Sequence, residues 1–433
     1  MFTTSPANST QKTTSWKIVV PFYSYAALSF LGLTILLLFA GDSFSGHYFQ
    51  PRLLAITHMA TLGWGTMIIL GASHQLLPVL VDGKLYSEKL AKATFITCAI
   101  GIPLLVYNFW YFQTVWLMQA GAVLVLSGFL LFALNVFRSI WNSNALQVQV
   151  YFLFTATLWL CLTALLGTLL VFNFTYNLFS VSHLEYLRLH AHMGLVGWFL
   201  MLVAGVASRL LPMFMISKYS NDKLLWRIFW LINGGLVLFL VDVMFAGITY
   251  RVYLYLCMLL AGILLFVVYC RQAWKQRIRK KVEAPVKLSL AAVALLMLPL
   301  ITAAFLIIQI ITGSHMALRL SVVYGSLFLL GWLTAIILGM TFKTLPFIIW
   351  NKVYQRLSGK QATPSPKDLF SNRLITWQII FYVPGFILVE MGILLQNSVL
   401  LKTGSVLLLA TAIVYNVNVG KLVFHRLKRR IAL

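Results

Sequence analysis

A chain of 433 residues with 61% hydrophobic and only 10% charged residues cannot clothe a soluble core in solvated surface. Its mean hydropathy of +0.90 and its many apolar runs of about 20 residues, each long enough to cross a bilayer as a helix, define an all-α polytopic membrane protein. A formal net charge of +24 spread over short loops is the pattern of membrane orientation and of contact with anionic lipid headgroups; it argues against a nucleic-acid partner and makes membrane lipids the expected one.

The polar start, MFTTSPANSTQKTTSWK, lacks a short apolar core followed by a small-residue cleavage site. The first span, from Trp16 to Ala40, is therefore expected to be retained rather than removed as a signal peptide. Further apolar runs begin near Leu53, Ala93, Val115, Val150, Leu187, Trp226, Val252, Leu288, Leu320, Leu374 and Leu401, for about twelve spans in all. Loops drawn between these runs put all but five of the 33 Lys and Arg on one side, the exceptions being Arg52, Arg188, Arg251, Arg319 and Lys402. The longest basic runs, Arg271 to Lys281 and Arg426 to Arg430, share the majority side. By the positive-inside rule both termini are then cytoplasmic, and a multi-pass protein of the bacterial inner membrane is expected. Cys98, Cys161, Cys257 and Cys270 fall in separate spans without paired spacing, which carries no disulfide or zinc signal.

Three stretches share one register. Residues 58–81 read HMATLGWGTMIILGASHQLLPVLV, residues 192–215 read HMGLVGWFLMLVAGVASRLLPMFM, and residues 326–349 read SLFLLGWLTAIILGMTFKTLPFII. At a constant offset of 134 residues, Gly63, Gly197 and Gly331 align, as do Trp64, Trp198 and Trp332, Gly71, Gly205 and Gly339, and Pro78, Pro212 and Pro346. We read residues 1–433 as a single membrane domain of three four-helix repeats, roughly 16–145, 150–285 and 286–425. Within each copy Trp, Gly and Pro stand seven residues apart, so they form one stripe along the helix. Close packing at the glycine, and a bend or stop at the proline, account for them.

The first position of each copy is not shared: His58 and His192 correspond to Ser326. Ionisable side chains within spans are costly in lipid, so each marks a functional hypothesis. His58, His190 and His192 cluster at the outer ends of the second and sixth spans. Neutral imidazoles from two helices can clasp a haem iron, and His58 with either His190 or His192 makes such a pair; cross-helix hydrogen bonding is the plainer reading of each taken alone. Two residues apart, His190 and His192 point about 200° from each other. They cannot both serve one compact metal site on a regular helix, and are expected to face two neighbouring cavities, one for a haem shared with His58 and the other for a second haem or copper.

Arg52, Arg188 and Arg319 stand at the outer entrances of the three motif helices, where they either pair with haem propionates or anchor lipid headgroups. His47, His183 and His315 could form an external metal site, and loop contact with water is the alternative. His74 with Gln75 at the inner end of the second span, Asp242 and Glu390 are candidates for proton movement. His425 lies in the basic tail and is expected to face headgroups.

Twelve spans in three sets of four, with His58 on the second and His190 or His192 on the sixth, resemble subunit I of the haem-copper oxidases, which includes the cbb3-type oxidases and nitric oxide reductases. The resemblance covers the whole chain at the level of architecture. It implies that His58 is a ligand of a low-spin haem b and that His190 or His192 falls where the sixth span offers a copper ligand. Two departures stand out: the third motif copy offers no haem ligand, and WRIFWLINGGLVLFLVDVMFAG lacks the paired copper-binding histidines of the seventh span. An ordinary binuclear oxygen-reducing centre is therefore not expected. HAHMGLVGW is also similar to a segment of the NnrS-like membrane haem and copper proteins linked to nitric oxide tolerance. The resemblance implies redox or gas-ligand chemistry with O2 or NO, in company with other respiratory subunits and a quinol or cytochrome c donor. The alternative is a cofactor-free transporter or assembly factor that keeps the fold.

Overall fold

The computed structural model describes residues 14–114, 116–143, 147–179, 182–280 and 282–427. The first thirteen residues, on which the signal-peptide expectation bears, and the basic residues Lys281, Lys428, Arg429 and Arg430 lie outside the described residues. Twelve helices among the described residues are long and apolar enough to cross a membrane. Numbered as spans 1 to 12, they are Trp16–Phe39, Pro51–Leu80, Glu88–Tyr111, Trp116–Trp141, Val148–Tyr176, His183–Met215, Asp222–Ala246, Val252–Lys275, Ala284–Ile311, Met316–Tyr354, Asn372–Leu395 and Ser398–Val423. Each agrees with its expected run to within several residues. Apart from an isolated bridge between Ser217 and Arg277, the described residues form no sheet.

Local chemistry fixes many of the ends. The first amides of a helix have no intrahelical acceptor, and the side chains of Ser15, Ser87, Ser182, Asn221, Ser371 and Asn397 accept from them at the starts of spans 1, 3, 6, 7, 11 and 12. Spans 2 and 6 stop two and three residues beyond Pro78 and Pro212, whereas span 10 runs through Pro346 to Tyr354. Proline thus ends two of the three motif helices and not the third.

Spans 2, 6 and 10 bury 72%, 78% and 67% of their apolar cores, against 28–50% for the other nine. These three therefore line the inside of the bundle. Each widens into a π-helical segment at the same register, Met59–Thr66, Met193–Leu200 and Leu327–Leu333. The widening begins immediately after His58, His192 and Ser326. A π segment shifts backbone bonding and leaves carbonyls to be satisfied otherwise. In span 10, Thr334 donates to the Leu329 carbonyl at 2.8 Å, and Tyr382 of span 11 donates to the carbonyls of Leu330 and Gly331 at 2.6 and 2.8 Å.

The shared tryptophans do more than pack. Trp64 Nε1 donates to Thr334 Oγ1 and Trp198 Nε1 to Thr66 Oγ1, both at 3.1 Å in the buried core. The corresponding acceptor position for Trp332 is Leu200, which has no hydroxyl. Span 2 is thereby tied to span 10, and span 6 to span 2. The shared glycines admit close neighbours: a Cβ on Gly71 would meet Phe22 of span 1 at 2.7 Å, and one on Gly339 would meet Ser289 Oγ of span 9 at 2.6 Å. Gly205 abuts Phe152 of span 5 in the same way. The stripe expected from packing alone thus carries two interhelical hydrogen bonds as well.

Replacing Thr334 with valine keeps the shape and strands the Trp64 indole N–H in a dry core. We expect a loss of about 1–3 kcal/mol, measured as a lower unfolding midpoint in detergent, with Thr376→Val on an exposed position as the near-neutral control.

Candidate functional site

The histidines sit in the last α-helical turn before each widening. His58 is the final residue of its α-helical stretch, and its Nδ1 donates to the Leu54 carbonyl one turn back at 2.7 Å. His192 repeats that arrangement with the Arg188 carbonyl at 2.8 Å. His190 instead reaches across to span 5, where Nδ1 donates to the Thr163 carbonyl at 3.0 Å. A carbonyl only accepts, so each Nδ1 carries a proton and each neutral ring keeps its lone pair on Nε2. This is how protein metal sites orient an imidazole: one nitrogen is held by a carbonyl and the other is left to the metal.

His58 and His190 face each other. Their ring centres lie 6.3 Å apart with planes 22° from parallel. Phe109 of span 3 closes on His58 at 4.6 Å, so span 3 contributes to the site. Span 5 contributes Gly167, where any Cβ would stand 2.7 Å from His190 Cε1; only glycine leaves room for the ring as placed. His192 looks the other way, towards Phe239 of span 7 at 4.7 Å and Tyr324 of span 10 at 6.0 Å. Of the two possible partners for His58, the structure therefore brings His190 and turns His192 aside.

One largely apolar cavity of about 760 Å³, rather than the two separate cavities expected, reaches all three histidines. That volume lies within the roughly 300–1,000 Å³ usual for small-molecule and cofactor sites. Leu105, Val125, Leu160 and Leu256 are among its apolar lining, with Phe239 and Tyr324 beside His192.

The arginines divide. Arg188 lines the cavity and pairs with Glu185 at 2.9 Å. Arg52 is exposed, its guanidinium 5.3 Å from the Trp110 ring centre, and neither it nor the half-buried Arg319 lines the cavity. His47, His183 and His315 all line the cavity near the starts of spans 2, 6 and 10. Two are engaged separately: His47 Nδ1 accepts from the Phe49 amide at 2.9 Å, and His183 Nδ1 lies 3.2 Å from the Asn173 side-chain nitrogen. Among the described residues no three His, Cys, Asp or Glu side chains converge as a metal-binding group.

Elsewhere, Asp242 is ion-paired with Arg251 at 3.1 Å. His74 is buried near the chain's start, its carbonyl accepting from Thr14 Oγ1 at 2.6 Å. His425 Nε2 lies 2.9 Å from the Tyr354 hydroxyl. Sequence reasoning missed Phe109 and Gly167. Gly167 had a signal, an isolated glycine in the apolar run LTALLGTLLV; Phe109 had none.

No protein-family model matches the chain, and no curated protein matches it.

Histidine-selective ¹⁵N labelling tests the tautomers. We expect Nδ1–H resonances for His58, His190 and His192, assigned by single His→Gln variants. An Nε2–H tautomer at His58 or His190 would remove the nitrogen needed for ligation.

Proposed function

We propose that this protein binds haem b in the bilayer, where His58 and His190 would hold it, and that it is of the haem-copper oxidase subunit I type without a complete binuclear centre. Three related four-helix repeats, with both termini in the cytoplasm of a bacterial inner membrane, form the scaffold in this reading. The spacing of the pair carries it. Two imidazoles that would hold one metal between them must stand close together, each with a ring nitrogen left free. The His58 and His190 centres are 6.3 Å apart. The residues fit the group in two further respects: each Nδ1 is held by a carbonyl, and the surrounding cavity is apolar and of cofactor size.

A haem held by two imidazoles supplies one-electron transfer. Around it, this chain's residues orient the rings, exclude water through Leu105, Val125 and Phe109, and place Arg188 at the cavity wall as the arginine suited to a propionate. Arg52 and Arg319 fit headgroup anchoring better, since neither lines the cavity. His192 offers one further imidazole to the neighbouring part of the cavity, for a second haem, copper or a gas ligand in an O2 or NO context. Electrons would come from a quinol or cytochrome c, with or without partner respiratory subunits.

The reduced-minus-oxidised optical spectrum of the purified protein, expressed with ample haem, is the test. We expect low-spin haem b bands, a fall in bound haem of about tenfold or more in His58→Ala and in His190→Ala, and retention in His192→Ala. A protein with no Soret band that functions normally without His58 would be the cofactor-free transporter or assembly factor instead.

A further inference from the structure

The third motif copy replaces histidine with Ser326, and behind that serine lies a carboxyl group. Ser326 Oγ donates to Glu390 Oε1 of span 11 at 2.5 Å, while Glu390 Oε2 is buried without a hydrogen-bond partner. None of the ion pairs among the described residues includes Glu390. Tyr382, about two turns earlier on the same helix, is a titratable side chain that interacts with it, and its hydroxyl is committed to the Leu330 and Gly331 carbonyls. An ionised carboxylate left this way in a membrane interior is far costlier than the neutral acid. Ser326 itself lines the cavity that holds the histidines. One hydroxyl therefore separates a buried carboxyl from that cavity.

We propose that Glu390 is a neutral, proton-storing acid that exchanges its proton with the cavity through Ser326. A hydroxyl both gives and takes a proton, so the step balances. In the neutral acid the shared hydrogen bond runs the other way, from Glu390 Oε1–H to Ser326 Oγ, with the serine hydrogen turned to the cavity. Ser326 Oγ takes the carboxyl proton as its own passes to a water molecule there, which leaves the serine donating to the carboxylate, and the reverse step restores the acid. The bound species is a proton, and the exchange is independent of whether haem is present.

Infrared spectroscopy of the full-length protein in lipid tests this directly. At neutral pH we expect a protonated-carboxyl C=O band that is absent in Glu390→Gln and moves to lower wavenumber in D2O. In Ser326→Ala the band should persist, shifted by the lost hydrogen bond, and its exchange with D2O should slow by at least about tenfold. If Glu390→Gln does not fold, the shift and slowed exchange in Ser326→Ala carry the test alone. Carboxylate bands in place of the C=O band, or exchange in Ser326→Ala as fast as in the parent protein, would overturn the proposal. Neither readout depends on a Soret band, so failure here is distinct from failure of the haem assignment.

Discussion

Two indole N–H groups hold the inside of this bundle together. Trp64 and Trp198 are buried where no water can replace a lost partner, and each finds the hydroxyl of a neighbouring inner helix, Thr334 or Thr66. Helices in lipid gain little from the hydrophobic effect against one another, so close packing and interhelical hydrogen bonds carry the association. The tryptophan positions dictate how spans 2, 6 and 10 are rotated, and that rotation decides which way His58, His190 and His192 face. Phe30 stacks on Trp64 at 4.5 Å, so span 1 is seated by the same residue. The candidate site is downstream of this geometry.

The histidines then obey a simple economy of polar groups. His58 and His192 bond to carbonyls on their own helices just before the π-helical widening, and His190 bonds to span 5. Each ring thus meets its buried donor requirement without using Nε2. A buried, half-satisfied imidazole is costly unless a ligand or water completes it. Here all three rings line one largely apolar cavity.

Much of the architecture was legible because the bilayer imposes a length: apolar runs from Trp16 to Leu401 had to be helices, and serine and asparagine caps trimmed their ends. The location of the histidines was legible for the same reason, since a span tolerates few ionisable side chains. What the sequence could not convey was rotation. Two residues on a helix have a known angle between them but no absolute direction, so His190 and His192 were equal candidates until the neighbouring helices were in place. The π-helical segments were hidden too, because a change of backbone bonding has no residue signature of its own. Pro78, Pro212 and Pro346 look alike in the chain, yet only the first two lie near a helix end; the residues beyond each proline make the difference.

The asymmetry among the three copies is physical rather than decorative. Position 58 faces His190, position 192 faces Phe239 and Tyr324, and position 326 faces a carboxyl group. A scaffold that presents equivalent positions at three inner helices can give each a different task without altering how the helices pack, because the packing residues, Trp, Gly and Pro, lie deeper along the stripe. Divergence at the first position costs the fold little. Placing a serine there, backed by Glu390, puts a proton-exchanging group on the same cavity as the imidazoles, where a change of charge near the histidines could be balanced locally without water crossing the apolar core.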